Sequence, residues 1–113
     1  MNVRDWIYVK DNCDAMGIIF DRGRINEVYN IAAGNEKTNL EVASFILNEL
    51  GRSDSLITYV EDRPGHDRRY SLDTAKIRGL GWKPIHTFEV ALKKTINWYL
   101  VNEWWWNPLL HHD

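Results

Sequence analysis

The densest run of chemically capable side chains is Asp62-Arg63-Pro64-Gly65-His66-Asp67-Arg68-Arg69-Tyr70, with three Arg, one His and two Asp in nine residues. Pro-Gly sets a tight turn inside it. Guanidinium forks match pairs of phosphate oxygens and an imidazole adds a donor, so the composition suits a pyrophosphate or a similar dianion. The same residues could also form a solvated loop with internal Arg–Asp pairs, which contribute little. Arg4-Asp5-Trp6 places another cation beside an aromatic ring, as a second phosphate contact or as a local ion pair at a strand. Asn39, next to Thr38, could offer its amide or the start of a helix to an anion, or could only help to cap that helix. His86 reads as a turn residue before a helix. His111-His112-Asp113 reads as a frayed terminus, because adjacent ligands on a chain end rarely form a metal site, and no metal is assigned.

What is missing narrows the chemistry further. The seven glycines, at 17, 23, 34, 51, 65, 79 and 81, form neither G-x-G-x-x-G nor a phosphate-binding P-loop. No Tyr is followed four residues on by Lys, and Cys13 has no flanking His, so neither a Tyr-Lys proton-transfer pair nor a thiolate nucleophile is expected. Read from these residues, the chain binds rather than catalyses.

The elements that must hold these groups follow from periodicity. Trp6-Ile7-Tyr8-Val9 reads as a short strand or extended lead-in to a helix. Val9, Cys13, Met16, Gly17 and Phe20 would form that helix's apolar stripe, which makes Cys13 a core residue. Alternation predicts a strand at Glu27-Val28-Tyr29-Asn30-Ile31, and Leu56-Ile57-Thr58-Tyr59-Val60 reads as a further strand. Thr38-Asn39-Leu40-Glu41 fits a capping box that opens a helix ended by Gly51. Asp73 caps a short helix stopped by Gly81. Thr87 precedes a last helix with the stripe Phe88, Leu92, Ile96 and Tyr99, running to about Glu103. Three short strands among four helices make an α/β or α+β unit, with 1–103 as its body and a Trp-rich tail at 104–113. Three successive Trp on a helix point in three directions, so at least one ring should face away from the core.

Composition sets the outer bounds. With 113 residues, 14 Lys+Arg against 16 Asp+Glu and a net charge of −2, the chain has no basic patch for nucleic acid. No apolar run reaches the length of a membrane span and no signal peptide opens the sequence, so a soluble, cytoplasmic protein is expected. Size alone predicts that about two-thirds of the unfolded surface is buried. One Cys cannot form an internal disulfide. Six Trp, five Tyr and three Phe predict a partner surface.

Several longer strings carry a resemblance. They are Arg4-Asp5-Trp6-Ile7-Tyr8-Val9-Lys10-Asp11, Tyr29-Asn30-Ile31 with Asn35-Glu36-Lys37-Thr38-Asn39-Leu40, the Asp62–Tyr70 loop, Leu80-Gly81-Trp82-Lys83-Pro84 and Thr95-Ile96-Asn97-Trp98-Tyr99-Leu100. Together they resemble the carboxy-terminal, substrate-binding part of the dTDP-glucose 4,6-dehydratases, within the extended short-chain dehydrogenase/reductases. The loop string is the most specific of them. The resemblance implies a small mixed domain attached to a Rossmann-type NAD domain that has no counterpart in this sequence. It also implies a lyase reaction from dTDP-glucose to dTDP-4-keto-6-deoxyglucose on the route to dTDP-rhamnose. By the same resemblance Arg4, Asn39, Arg63 and His66 contact the nucleotide diphosphate, while Asp62, Pro64 and Gly65 shape the loop.

The expectation is therefore a substrate-binding fragment, inactive alone and with no NAD of its own, that takes a dTDP-sugar and needs a Rossmann domain or a separate chain supplying it. Apolar surface left uncovered would drive self-association, so a homo-oligomer is expected. The alternatives are a non-catalytic, self-associating interaction module and a fragment of an epimerase or dehydratase for another nucleotide sugar.

Overall fold

The computed structural model describes residues 2–69 and 71–111. Tyr70 of the charged loop and the His112-Asp113 end lie outside the described residues. Strand β1, Val3–Asp5, is followed by α1, Val9–Arg22; then come β2, Glu36–Thr38, and α2, Asn39–Glu49. After a 3-10 turn at Asp54–Leu56 the chain forms α3, Ala75–Gly79, α4, Phe88–Val101, α5, Glu103–Trp106, and a closing 3-10 turn, Asn107–His111. The fold is thus a small mixed α/β unit with a two-stranded antiparallel sheet, in which Val3 pairs with Thr38, Arg4 with Lys37 and Asp5 with Glu36.

Local chemistry explains the helices that form where the sequence places them. Thr38 Oγ1 accepts from the Glu41 N–H at 3.1 Å while Glu41 Oε2 accepts from the Thr38 N–H at 2.6 Å, a complete capping box that starts α2. Asp73 Oδ1 accepts from the Ala75 N–H at 2.9 Å at the start of α3, and Gly81, at φ +101°, stops the chain just beyond it. Thr87 Oγ1 faces the Val90 N–H at the start of α4. That helix ends at Val101 rather than Glu103, and Asn102 turns the chain into the separate short helix α5, giving five helices among the described residues.

Helix α1 forms as expected but buries a different face. Asp11 and Ala15 are buried, with Ile18 and Ile19 packed on the core cluster of Ala15, Ile77 and Trp82. Val9, Met16 and Phe20 are exposed, Phe20 by 91%, and Cys13 is exposed rather than a core residue. The two stripes start two residues apart, which at 3.6 residues per turn is roughly 200° around the helix. The cause is Asp11: its carboxylate accepts from the backbone N–H of Ile85 and His86 and from His86 Nδ1 at 2.9 Å. Its carbonyl accepts from Trp82 Nε1 at 3.0 Å. A buried acid with its partners elsewhere in the chain does not register in a hydropathy stripe.

The strands depart further from expectation. Trp6-Ile7-Tyr8 is the extended lead-in, with Tyr8 at φ −69° and ψ 138°, and the strand itself lies just before it. Glu27–Ile31 and Leu56–Val60 form no strand. The alternation is real, since Val28 is exposed while Tyr29 and Ile31 pack on the core. A strand also needs a neighbour, and among the described residues neither segment has one. Expected burial fails for a related reason: the chain exposes 8852 Å², where a self-contained protein of this mass exposes about 6,450 Å².

The tail folds back onto α4. Trp106 Nε1 donates to the Tyr99 carbonyl at 2.7 Å, and the Trp98 and Trp105 rings meet edge to face at 5.4 Å. Trp104 is 71% exposed and faces away.

Candidate functional site

β1 sits at the centre of the candidate site because both of its sides are engaged. One side pairs with β2. On the other, Val3 makes a parallel bridge to Arg69, and the Val3 N–H donates to the Arg68 carbonyl. Arg69 also reaches across to Glu36 on β2 at 2.6 Å, and its guanidinium holds the Glu36 carboxyl below the usual carboxylate range. The charged loop is thereby fastened beside residues 2–4.

Within the loop, the His66 N–H donates to the Arg63 carbonyl at 3.2 Å, closing a turn with Pro64 and Gly65 at its centre. Gly65 has φ +74°, which a side-chain-bearing residue adopts only at a cost. The turn delivers the His66 ring to β1. Arg4 Nη2 donates to His66 Nε2 at 2.9 Å and to the Asp67 carbonyl at 2.9 Å, and Nη1 donates to the Val3 carbonyl at 2.8 Å. On the far side of the ring, Asp62 Oδ1 lies 3.4 Å and the Asn2 amide 3.3 Å from Nδ1. A guanidinium has no acceptor, so Nε2 carries the lone pair and the ring proton is assigned to Nδ1, facing Asp62.

Asn39 begins α2 at the edge of the same corner, and its N–H donates to the Asn2 carbonyl at 3.2 Å. With the Thr38 and Glu41 N–H groups taken by the capping box, little of this helix start is left for an anion. The exposed Asn39 amide remains as its contribution. Asn39, Asn2 and Asp62 line a cleft of about 540 Å³ whose apolar wall comes from Leu40, Ala43, Ile57 and Val60, with Tyr59 exposed at its rim. That volume is within the range of small-ligand sites.

The structure thus brings Arg4, His66 and Asp62 into contact, with Asn39 on the adjoining cleft and Pro64-Gly65 making the turn. Arg63 is on the same turn, with its side chain exposed. Asn2, Tyr59 and the Ile57–Val60 wall were not singled out from the sequence. Asn2 lacked any local signal, because its partner His66 is 64 residues away. His86 is more than a turn residue, since it secures Asp11. A depression of about 650 Å³ along α1, lined by Cys13, Phe20 and Trp82, lacks a guanidinium or an imidazole. Among the described residues no group of His, Cys, Asp and Glu could hold a metal ion.

Residues 1–95 match the family profile of GDP-mannose 4,6 dehydratase. The chain belongs to the GDP-mannose 4,6 dehydratase family. Among the relatives, a dTDP-glucose 4,6-dehydratase of Neisseria meningitidis is 46% identical over 98% of this chain and 35% of its own length. The chain is also similar to the solved dTDP-glucose 4,6-dehydratase from Bacillus anthracis in complex with NAD, with TM-score 0.88, 47% identity and coverage of 96% of this chain and 35% of that one. For the Streptomyces venezuelae enzyme, also with NAD bound, the values are 0.89, 43%, 96% and 34%. The chain therefore spans about a third of the length of these family members.

Both of those solved structures hold NAD. The nearest glycine pair, Gly79 and Gly81, closes the carboxy-terminal end of α3. A dinucleotide's pyrophosphate needs the opposite end of a helix. Gly34, Gly51 and Gly65 each serve an isolated turn. Among the described residues none of these glycines stands at the start of a helix, where a dinucleotide's pyrophosphate would sit.

Proposed function

We propose that this chain is the carboxy-terminal, substrate-binding portion of a dTDP-glucose 4,6-dehydratase, and that its Arg4–His66–Arg63 corner receives the diphosphate of the dTDP-sugar. In the complete enzyme the reaction would be the lyase conversion of dTDP-glucose to dTDP-4-keto-6-deoxyglucose. The observation that carries the reading is the assembly of Arg4 and His66, 62 residues apart, beside the exposed Arg63 and next to the cleft lined by Asn39 and Asp62. Cations joined through Asp62 to a cleft with an apolar wall suit an anion that carries a flat, less polar group. Asp62 holds His66 from behind, and Pro64 and Gly65 fix the turn.

A Rossmann portion, in the same or a separate chain, would hold NAD and supply the redox and proton-transfer groups. Phe20, Ile25, Val28 and Val60, exposed by 79–91%, are consistent with surface that such a portion or a second copy covers. Among the described residues no helix is long and apolar enough to cross a membrane.

Calorimetric titration of the purified chain with dTDP and dTDP-glucose, with NAD as control, tests this. Saturable binding of the two dTDP ligands at micromolar to millimolar concentration, without NAD binding, is expected. Heats indistinguishable from dilution for both dTDP ligands would overturn it.

A further inference from the structure

The six indoles of the chain divide into two groups. Trp6, Trp82 and Trp106 donate Nε1–H to the carbonyls of Lys37, Asp11 and Tyr99, and Trp104 donates to Asn102 Oδ1, all at 2.7–3.2 Å. Trp98 and Trp105 have no such partner among the described residues. Their indole N–H groups are donors left open to a ligand.

These two rings share one cleft. It has a volume of about 490 Å³ and lies where the start of α1 meets α4 and α5, with Tyr8, Lys10, Lys94, Trp98, Tyr99 and Trp105 around it. That size suits a small ligand. The aromatic side is held by the turn after α4. Asn102 donates its side-chain amide to the Trp98 carbonyl at 2.9 Å, and the returning Trp106 donates to the Tyr99 carbonyl. Trp105 is thereby set edge to face with Trp98 at 5.4 Å, and Trp98 meets Tyr99 in the same way at 5.2 Å. On the α1 side, Tyr8 is braced by the His86 ring at 4.7 Å. Trp98, Tyr99 and Trp105 each remain about half exposed, so their rings are accessible.

Charge then selects among the ligands that aromatic walls accept. The lining carries two ammonium groups, Lys10 and Lys94, and no carboxylate. Lys93 is paired with Glu49 and Lys76 with Glu27, whereas Lys10 and Lys94 have neither an ion pair nor a hydrogen bond among the described residues. A neutral ring would leave both ammonium groups unmatched, and an aliphatic anion would leave the aromatic faces to water. Neither Arg4 nor His66 lines this cleft, which is separate from the corner they form.

We propose that this cleft binds a flat aromatic anion, a ring system bearing a carboxylate, sulfonate or phosphate ester, with its ring against the aromatic walls and its oxygens toward Lys10, Lys94 and an indole N–H. The preference has two independent sources, stacking and charge, and each can be removed separately.

Naphthoate is the probe, with the neutral naphthylmethanol and the aliphatic anion cyclohexanecarboxylate as controls. Naphthoate should bind saturably and about three- to tenfold more tightly than either control, the scale of one aromatic contact or of two exposed ion pairs. In nitrogen-15 spectra it should move the Trp98 and Trp105 indole signals and leave that of the buried Trp82 in place. Lys10→Gln combined with Lys94→Gln should abolish the preference over naphthylmethanol, and Trp105→Leu should reduce the preference over cyclohexanecarboxylate. Excess dTDP-glucose should not displace the probe. No saturable binding, equal binding of the neutral alcohol, unmoved Trp98 and Trp105 signals, or unchanged preferences in the variants would each overturn this inference and leave the proposed function standing. Displacement by dTDP-glucose would also overturn it, by putting both ligands in one site.

Discussion

Asp11 is the buried acid on which α1 depends, at 2% exposure. Burial alone would push its carboxyl up, but hydrogen bonds from the His86 ring and from the His86 and Ile85 N–H groups, with the charge of His86, bring it below the usual value. Asp11→Ala strands those donors and should cost about 3 kcal/mol in chemical denaturation; a loss under 1 kcal/mol would show that water replaces the carboxylate. Because the folded carboxyl gives up its proton more readily than the unfolded one, the unfolded chain binds more protons in acid. The Asp11 contribution is therefore complete above the ordinary carboxylate pKa and is lost as the pH falls through the lowered folded value. Stability measured in wild type and Asp11→Asn should converge across that acidic window. Arg63 differs in kind: its exposed guanidinium is placed by a turn rather than by a network. Arg63→Ala should weaken dTDP-glucose binding by about 2 kcal/mol with stability unchanged, the scale of one charge-assisted contact. Unaltered calorimetric affinity would remove Arg63 from the site.

Among the elements, the loop turn is the most exposed to a single substitution. A Cβ on Gly65 meets nothing within 4 Å, so Gly65→Ala involves no clash and only the penalty of φ +74°. That penalty is about 1–2 kcal/mol. The expected outcome is a modest loss of stability with a larger loss of ligand affinity as His66 shifts; equal losses would mean that the turn serves the fold alone. Elements closed within a few residues were legible in the sequence. Thr38 with Glu41, Asp73 with Ala75 and Thr87 with Val90 all act over two or three positions, and the helices begin where those residues stand. Elements that depend on distant partners were not legible. The inward face of α1 is chosen by His86, and β1 is fixed by Thr38 and Arg69, while Val28 and Tyr29 face opposite ways without a strand to pair with among the described residues. The site divides in the same way. Arg63, Pro64, Gly65 and His66 stood out as a string, whereas Asn2 and the wall at Ile57 and Val60 join them only through the folded chain.

For the molecule as a whole, surface is the dominant quantity. Its radius of gyration is 16.9 Å, against about 13 Å for a self-contained domain of this length. A little over half of the unfolded surface is buried, not the two-thirds expected from size. Patches of this extent drive association, so light scattering at micromolar concentration should give a mass at or above twice 13.3 kDa; a monomer mass would show that the exposed faces do not pair with themselves. The stitching of β1 to Arg69 also imposes an order of assembly. During synthesis β1 emerges well before the loop and its hydrogen-bonding edge toward residues 68 and 69 stays open until more than 60 further residues have followed, while α1 and α2 can each wind as they appear. Any translation product that stops before the loop therefore has α1, α2 and both strands of the ribbon but none of the corner that would hold an anion.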